Sequence, residues 1–289
     1  MMIDRRDFLG LAGRLAGAGA LGAGVSAQAY EGTILVHEHV MVDFVGADAI
    51  RPGRYDAEEV FRLAKPRLEA IYRLGCRRLQ ECTPNFLGRD PGLLRRLAEA
   101  TGIELWTNTG LYSAANHKYL PSFARTESAE QLARRWVEEF RNGIDGVKPR
   151  FIKIGVNKGP LDELDRKVAL AGAIAGRETG LTVAAHTGDG AAALEEVEIV
   201  TGAGLPARQF VWVHAQSERD HEIHRKVAEA GAWVEFDGIR EKSAAWHEEC
   251  VRYVAGRNLL GRTLISQDSG WYRVGQTGGG DSRGSTYLY

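Results

Sequence analysis

Residues 151–188 read FIKIGVNKGPLDELDRKVALAGAIAGRETGLTVAAHTG, a strand, a helix and a second strand in succession. Residues 151–156 and 182–186 are short runs rich in β-branched and apolar side chains, the pattern of strands buried on both faces. Residues 162–179 have helical amphipathic spacing, and Gly180 stands just past them, where a left-handed C′ residue is wanted. The unit repeats in both directions. Strands are predicted at 33–42, 77–81, 103–109, 210–214, 233–237 and 263–267, and helices at 57–74, 92–100, 128–142, 190–201, 217–230 and 242–258. Gly75, Gly102, Gly143 and Gly231 punctuate helix ends in the same way. Strict alternation favours a parallel sheet covered by helices, and eight strands with seven helices favour a closed (β/α)8 TIM barrel lacking its eighth helix. A doubly wound open sheet is the runner-up. No G-x-G-x-x-G follows a strand, which weakens its dinucleotide-binding version.

A chain of 289 residues suits one such barrel, with no second domain or internal linker. The 37 basic and 38 acidic residues leave a net charge of −1. That excludes the basic excess a nucleic-acid partner requires. Cys76, Cys82 and Cys250 cannot form a disulfide framework. At the N-terminus, DRRDFL at residues 4–9 precedes a Gly-, Ala- and Leu-rich stretch through residue 25 and the A-x-A pattern Ala27-Gln28-Ala29. Residues 1–29 therefore read as a signal peptide. The adjacent Arg5-Arg6 resembles a twin-arginine signal, with Asp4 where Ser or Thr is usual. The expectation is a periplasmic protein starting near Tyr30 and occupying residues 30–289, with no membrane association after cleavage. Arg14 interrupts the apolar run and argues against a span.

Chemistry-bearing residues sit at the strand ends. VHEHV places His37 and His39 two apart, so both imidazoles face one side of a strand. FIKIGV carries Lys153, VAAHTG His186, VWVHAQ His214 and LISQDSG Asp268. The C-terminal strand ends of a barrel converge on one face, so these six groups are expected together. Imidazole and carboxylate suit Zn²⁺ and similar ions, and six convergent groups exceed the needs of one tetrahedral ion. A lysine on a buried strand is uncommon, because burying an ammonium is costly unless it is paired or neutralised.

This order, HEH on the first strand, Lys on the fourth, His on the fifth and sixth and Asp on the eighth, resembles the phosphotriesterase family of the amidohydrolase superfamily. The resemblance runs from about residue 32 to 268 through GTILVHEH, RFIKIG, HTG and the closing aspartate. It implies a binuclear centre, usually of zinc, in which His37, His39 and Asp268 hold the buried ion and His186 and His214 the exposed one. Lys153 would carry a CO2-derived carbamate bridging both ions beside a bridging hydroxide. The expected reaction is hydrolysis of a small-molecule ester, either carboxylic (lactones included) or phosphoric, with Asp268 accepting the proton. A mononuclear deaminase-like centre is the rival, and Lys153 argues against it.

Loops after the strands supply a candidate substrate pocket: Tyr112, His117 and Tyr119 after the third, Asn157 and Lys158 after the fourth, Asp237 at the end of the seventh, and Trp271 and Tyr272 after the eighth. Glu38 faces away from its flanking histidines and reads as structural, while Glu81 is left open. Residues 269–289 are Gly-rich and hold no adequate amphipathic helix, so the expectation is a C-terminally truncated chain. The face left bare would be covered by a homodimer partner or leave an impaired, metal-binding barrel, the alternative to an active enzyme.

Overall fold

The computed structural model describes residues 32–280. The signal-peptide reading of residues 1–29, and residues 281–289 of the Gly-rich tail, lie outside the described residues. The strands are β1 (Thr33–His39), β2 (Cys76–Glu81), β3 (Glu104–Trp106), β4 (Asn108–Thr109), β5 (Phe151–Gly155), β6 (Val183–His186), β7 (Phe210–Val213), β8 (Trp233–Phe236), β9 (Thr263–Ile265) and β10 (Ser269–Gly270). The helices are α1 (Ala57–Arg73), α2 (Pro91–Thr101), α3 (Ser122–Thr126), α4 (Ala129–Asn142), α5 (Glu163–Thr179), α6 (Gly190–Gly202), α7 (His221–Glu229) and α8 (Ala244–Ala255).

Two parallel ladders run β10-β1-β2-β3 and β4-β5-β6-β7-β8-β9. They share two interrupted strands. Thr107 alone separates β3 from β4, and residues 266–268 separate β9 from β10. Across the second break Ser266 N donates to Phe236 O at 3.1 Å on one side, while Asp268 N donates to His37 O at 3.0 Å on the other. The strand order therefore runs round a ring, as in the (β/α)8 barrel expected from the alternation.

Local chemistry sets the helix limits. The Ser128 hydroxyl accepts from Gln131 N, and the Gln131 side chain reaches back to Ser128 N, a capping box that starts α4. The sequence-based helix at 217–230 begins instead at His221, because the Asp220 carboxylate caps Glu222 N and residues 215–217 form a 3-10 turn. The short α3 was not expected. At the C-terminus of α2, Gly102 adopts φ 73°, the left-handed conformation its position suggested. After β10 the described residues hold only a 3-10 turn at Thr277–Gly279 and no α-helix.

The interior has two layers. Side chains such as Trp212, Phe210, Ile154 and Val183 face outward and pack beneath the helices. Phe151, Ala184, Val211 and Val213 face inward and fill the barrel axis. The helix α5 buries Ala169, Gly172, Ala173 and Gly176, and a Cβ on Gly172 would stand 3.3 Å from Val183. Small residues thus bring this helix close to the strands. Cys76, Cys82 and Cys250 are free and buried. No helix among the described residues is long and apolar enough to cross a membrane.

Candidate metal centre

Strand alternation carries Lys153 inward, because Phe151 two residues earlier faces the barrel axis. It does the same for His186, two residues beyond the inward Ala184. His37 and His39 need a further device. Leu35 packs outward under the helices, so strict alternation would send His37 with it. A register irregularity between Leu35 and Glu38 re-aims the strand. His214 directly follows the inward Val213 and would point outward. Its backbone is left-handed, with φ 67°, and this turns the ring to the barrel mouth. Asp268 is left-handed too, with φ 49°. Such non-glycine conformations cost about 1–3 kcal/mol and persist where surrounding contacts enforce them.

The four imidazoles form one cluster. Ring centroids are 5.3 Å apart for His37 and His39, 4.9 Å for His37 and His214, and 4.5 Å for His186 and His214. His37 Nε2 and His39 Nε2 converge on Asp268 Oδ1 at 3.6 and 3.3 Å. Their opposite nitrogens are tied back. His37 Nδ1 lies 3.0 Å from Glu235 Oε1 and 3.2 Å from Asp237 Oδ2. His39 Nδ1 lies 2.8 Å from Thr83 Oγ1, and His214 Nδ1 lies 2.7 Å from Asp237 Oδ1. Assigning a proton to each Nδ1 that faces a carboxylate leaves the Nε2 lone pairs of His37 and His214 free, the arrangement a metal-binding histidine needs.

Electrostatics favour the neutral donor form at His186 and His39. Burial lowers the pKa of His186, and the neighbouring His214, Lys153 and His37 lower it further. Burial lowers His39 as well, against the pull of Asp268. Neutral imidazole is the metal-binding form. Burial also opposes a charge on His37, but the carboxylates of Asp237, Glu235 and Asp268 outweigh it and raise that pKa. Burial pushes the Cys82 thiol itself up to about 12, so Cys82 is neutral and the carboxylates carry the effect. Asp268 loses solvation by burial, yet its hydrogen bond to His39 and the nearby His37 hold its carboxyl below the usual range.

Lys153 is only 1% exposed. Its Nζ makes one long hydrogen bond, 3.4 Å to Ile154 O. A buried ammonium with so little compensation is costly, so the position fits an amine that carries an anionic group against cations. One ligand atom from each of His37, His39 and Asp268 lies within 4.8 Å of the others. Together these residues fit the two-ion centre that the resemblance implies.

The proposed pocket residues divide. Tyr112 lies at the cluster, its ring centroid 4.9 Å from that of His186 and 5.8 Å from that of Tyr119. Gly155 makes room for it, since a Cβ there would meet the Tyr112 ring at 2.5 Å. The other assignments need correction. Asp237 is fully buried and accepts from His214, His37 and Gln216, so it orients those side chains instead of lining a pocket. Trp271 and Tyr272 pack in the layer beneath α1 and α2, with Tyr272 Oη donating to Glu59 at 2.8 Å. The reason is that residues 271–274 run alongside the segment just past β1, Trp271 N donating to His39 O, Val42 N to Tyr272 O and Val274 N to Val42 O. His117 belongs to a separate polar group, 3.3 Å from Asn157 Nδ2 and 3.2 Å from Asp162.

Glu38 is structural as expected, accepting from Ser266 Oγ, Gln267 N and Ser269 N across the β1–β10 seam. Glu81 has a similar part, accepting from Val40 N, Thr83 N and Thr83 Oγ1. Sequence reasoning missed Glu235, Thr83 and Gln216. Glu235 was detectable, since Glu235-Phe236-Asp237 repeats the alternation of His37-Glu38-His39 on a strand. Thr83 and Gln216 lie on turns and carry no such signal.

A model of the phosphotriesterase family matches residues 20–276. The phosphotriesterase homology protein of Escherichia coli is 27% identical over 243 residues, covering 82% of this chain and 81% of its own length. An aryldialkylphosphatase of Saccharolobus solfataricus is 27% identical over 212 residues, covering 71% of this chain and 66% of its own. A mutant of the organophosphorus hydrolase from Deinococcus radiodurans superposes with a TM-score of 0.75 at 26% identity, covering 88% of this chain and 80% of that one.

Proposed function

The chain belongs to the phosphotriesterase family of hydrolases, and on that premise we propose that it hydrolyses a small-molecule ester with two divalent ions, zinc as the first choice. In this reading His37, His39 and Asp268 would hold one ion, His186 and His214 would hold the other, and Lys153 would serve as a ligand after N6-carboxylation. When bound, such ions supply Lewis acidity and lower the pKa of coordinated water towards about 7. Asp237 and Glu235 fix the tautomers of His37 and His214, and Thr83 anchors His39. Asp268 is the proton acceptor. Its side chain is 36% exposed and so reaches the open side, with His39 Nε2 and His37 Nε2 3.3 and 3.6 Å from its Oδ1. Tyr112 provides an apolar wall next to His186 against which a leaving group can stack.

The observation that carries this reading is the burial of Lys153, without a counter-charge in contact among the described residues, beside four clustered histidines. The substrate class is an ester, carboxylic (lactones included) or phosphoric. The aryldialkylphosphatase and the organophosphorus hydrolase among the similar proteins support the phosphoric part of this range. Lys153→Ala should abolish turnover across a panel of lactones, aryl esters and phosphotriesters and lower metal stoichiometry, with short-chain carboxylates restoring part of both. Near-normal turnover by that variant would contradict the ligand role of Lys153. Export through a twin-arginine route, read from residues 1–29, belongs to the same proposal. Periplasmic activity that disappears in an Arg5→Lys/Arg6→Lys double variant is the expected result.

A further inference from the structure

Outside the ring of strands, α7 and α8 bring a second set of nitrogen and sulfur donors together. One ligand atom from each of His221, His224 and Cys250 lies within 4.8 Å of the others. The hydrogen bonds of the two imidazoles define which atoms are free. His224 Nε2 lies 2.7 Å from Ala215 O, which can only accept, so that nitrogen carries the proton. His221 Nε2 faces the Glu249 carboxylate at 3.3 Å and is assigned a proton for the same reason. The two Nδ1 atoms are left facing each other at 3.2 Å. Two lone pairs at that separation repel unless a cation lies between them. In a tetrahedral zinc site, with Zn–N of about 2.0–2.1 Å, neighbouring nitrogens stand about 3.3 Å apart.

Several further observations point the same way. His224 and Cys250 are fully buried, so neither is positioned for solvent. The His221 ring is clamped between Trp246 and Tyr253, with centroids 5.0 and 4.6 Å away and interplanar angles of 19° and 20°. Arg219 caps the outer face of this stack over Trp246 at 4.3 Å, and Arg257 caps it over Tyr253 at 3.6 Å. The ring is thus oriented before any ligand arrives. A carbonyl or carboxylate behind each imidazole is the usual support of a metal-binding histidine.

We propose that His221, His224 and Cys250 form a second metal site, taking a thiophilic divalent ion of the zinc class, which fastens the turn that carries His214. The link to that turn is direct: His224 bonds to Ala215 O, and Trp246 Nε1 donates to Gln216 O at 2.8 Å. Gln216 in turn clasps Asp237, with Gln216 Nε2 on Asp237 Oδ1 at 2.7 Å and Asp237 N on Gln216 Oε1 at 3.0 Å. Metal binding replaces the Cys250 thiol proton, which is released to solvent. Two imidazoles and one thiolate leave a fourth tetrahedral position for water.

The test titrates the metal-free full chain with Co²⁺, so that no zinc already occupies the site. The expected result is uptake of an equivalent beyond those of the catalytic centre, with a near-ultraviolet thiolate-to-cobalt charge-transfer band. The proposed catalytic ligands include no thiol, so the band reports on this site whether or not the two-ion reading of the catalytic centre holds. Cys250→Ser should remove the band, and His39→Ala should keep it. His221→Ala, at a partly exposed position, should weaken the cobalt affinity at least about tenfold, and it decides the matter if Cys250→Ser does not fold. No such further uptake, further uptake without the band, or a band unchanged by Cys250→Ser or by His221→Ala would overturn the proposal. A proton shared between the two Nδ1 atoms gives the no-uptake result.

Discussion

Replacing Asp237 by Asn exchanges one carboxylate oxygen for an NH2 group without changing volume. Each oxygen of Asp237 receives two donors. Oδ1 takes His214 Nδ1 and Gln216 Nε2, both at 2.7 Å, and Oδ2 takes His37 Nδ1 at 3.2 Å and His214 N at 3.3 Å. Either orientation of the amide therefore points N–H groups at two donors. Leaving a buried donor unsatisfied costs about 1–3 kcal/mol, so the metal-free protein should lose about 2–4 kcal/mol after partial relaxation. The variant also loses the negative charge that favours His37 and His214 as donors to cations. Removing such a support typically lowers metal affinity 10–100-fold, or about 1.4–2.7 kcal/mol. The assay is competition for zinc against a chromophoric chelator, with thermal unfolding of the metal-free protein alongside. Affinity within about twofold of the parent, together with an unchanged melting temperature, would refute the assignment of Asp237 as the residue that positions two ligands. His214→Ala combined with Asp237→Asn should cost less than the sum of the single changes, because the two groups share one interaction.

Other expectations follow from the same geometry. Gly155→Ala places a methyl group 2.5 Å from the Tyr112 ring and should move that ring off His186, raising KM more than it lowers kcat; unchanged steady-state constants would count against Tyr112 as a pocket wall. Gly110→Ala is more severe, since φ is 121° and the new Cβ would lie 2.1 Å from Lys153 O; reduced soluble yield and a lower melting temperature are expected. Burial pushes the Glu196 carboxyl up to about 8, the largest influence on it, while its hydrogen bond with Thr187 acts the other way. The folded state then binds a proton that the unfolded state has already released. This contribution is full below the unfolded value of 4.5 and is lost as pH rises towards about 8. Glu196→Gln should accordingly gain stability relative to the parent between pH 5 and 8, by up to about 1.4 kcal/mol per pH unit; denaturant midpoints that shift in parallel across that range would refute it. Metal removal by a chelator should abolish hydrolysis and lower thermal stability, with Zn²⁺ restoring both.

The alternation of short apolar runs and amphipathic segments was enough for the barrel, because strand and helix periods are local properties of the chain. It also marked the ligand candidates, since in a barrel the C-terminal end of every strand faces one mouth. The break at Thr107 and the missing ladder at 266–268 carried no sequence signal. Both mark points where a strand leaves one neighbour and joins the other as the ring closes.

Identity and order of His37, His39, Lys153, His186, His214 and Asp268 were set by the sequence, and so was the membership that these residues suggested. Where each side chain points was not. Alternation from Val213 would send His214 outward, and alternation from Leu35 would do the same to His37. A left-handed backbone at His214 and a register shift in β1 reverse both, and these depend on contacts with distant strands. For the same reason Trp271 and Tyr272 looked like a pocket wall in the sequence but pack under α1 and α2. The partners of His37, His39 and His214 come from residues about 23 to 198 positions away along the chain. Only the folded barrel brings them into hydrogen-bonding distance, because local periodicity fixes which face a residue occupies and says nothing of what meets it there.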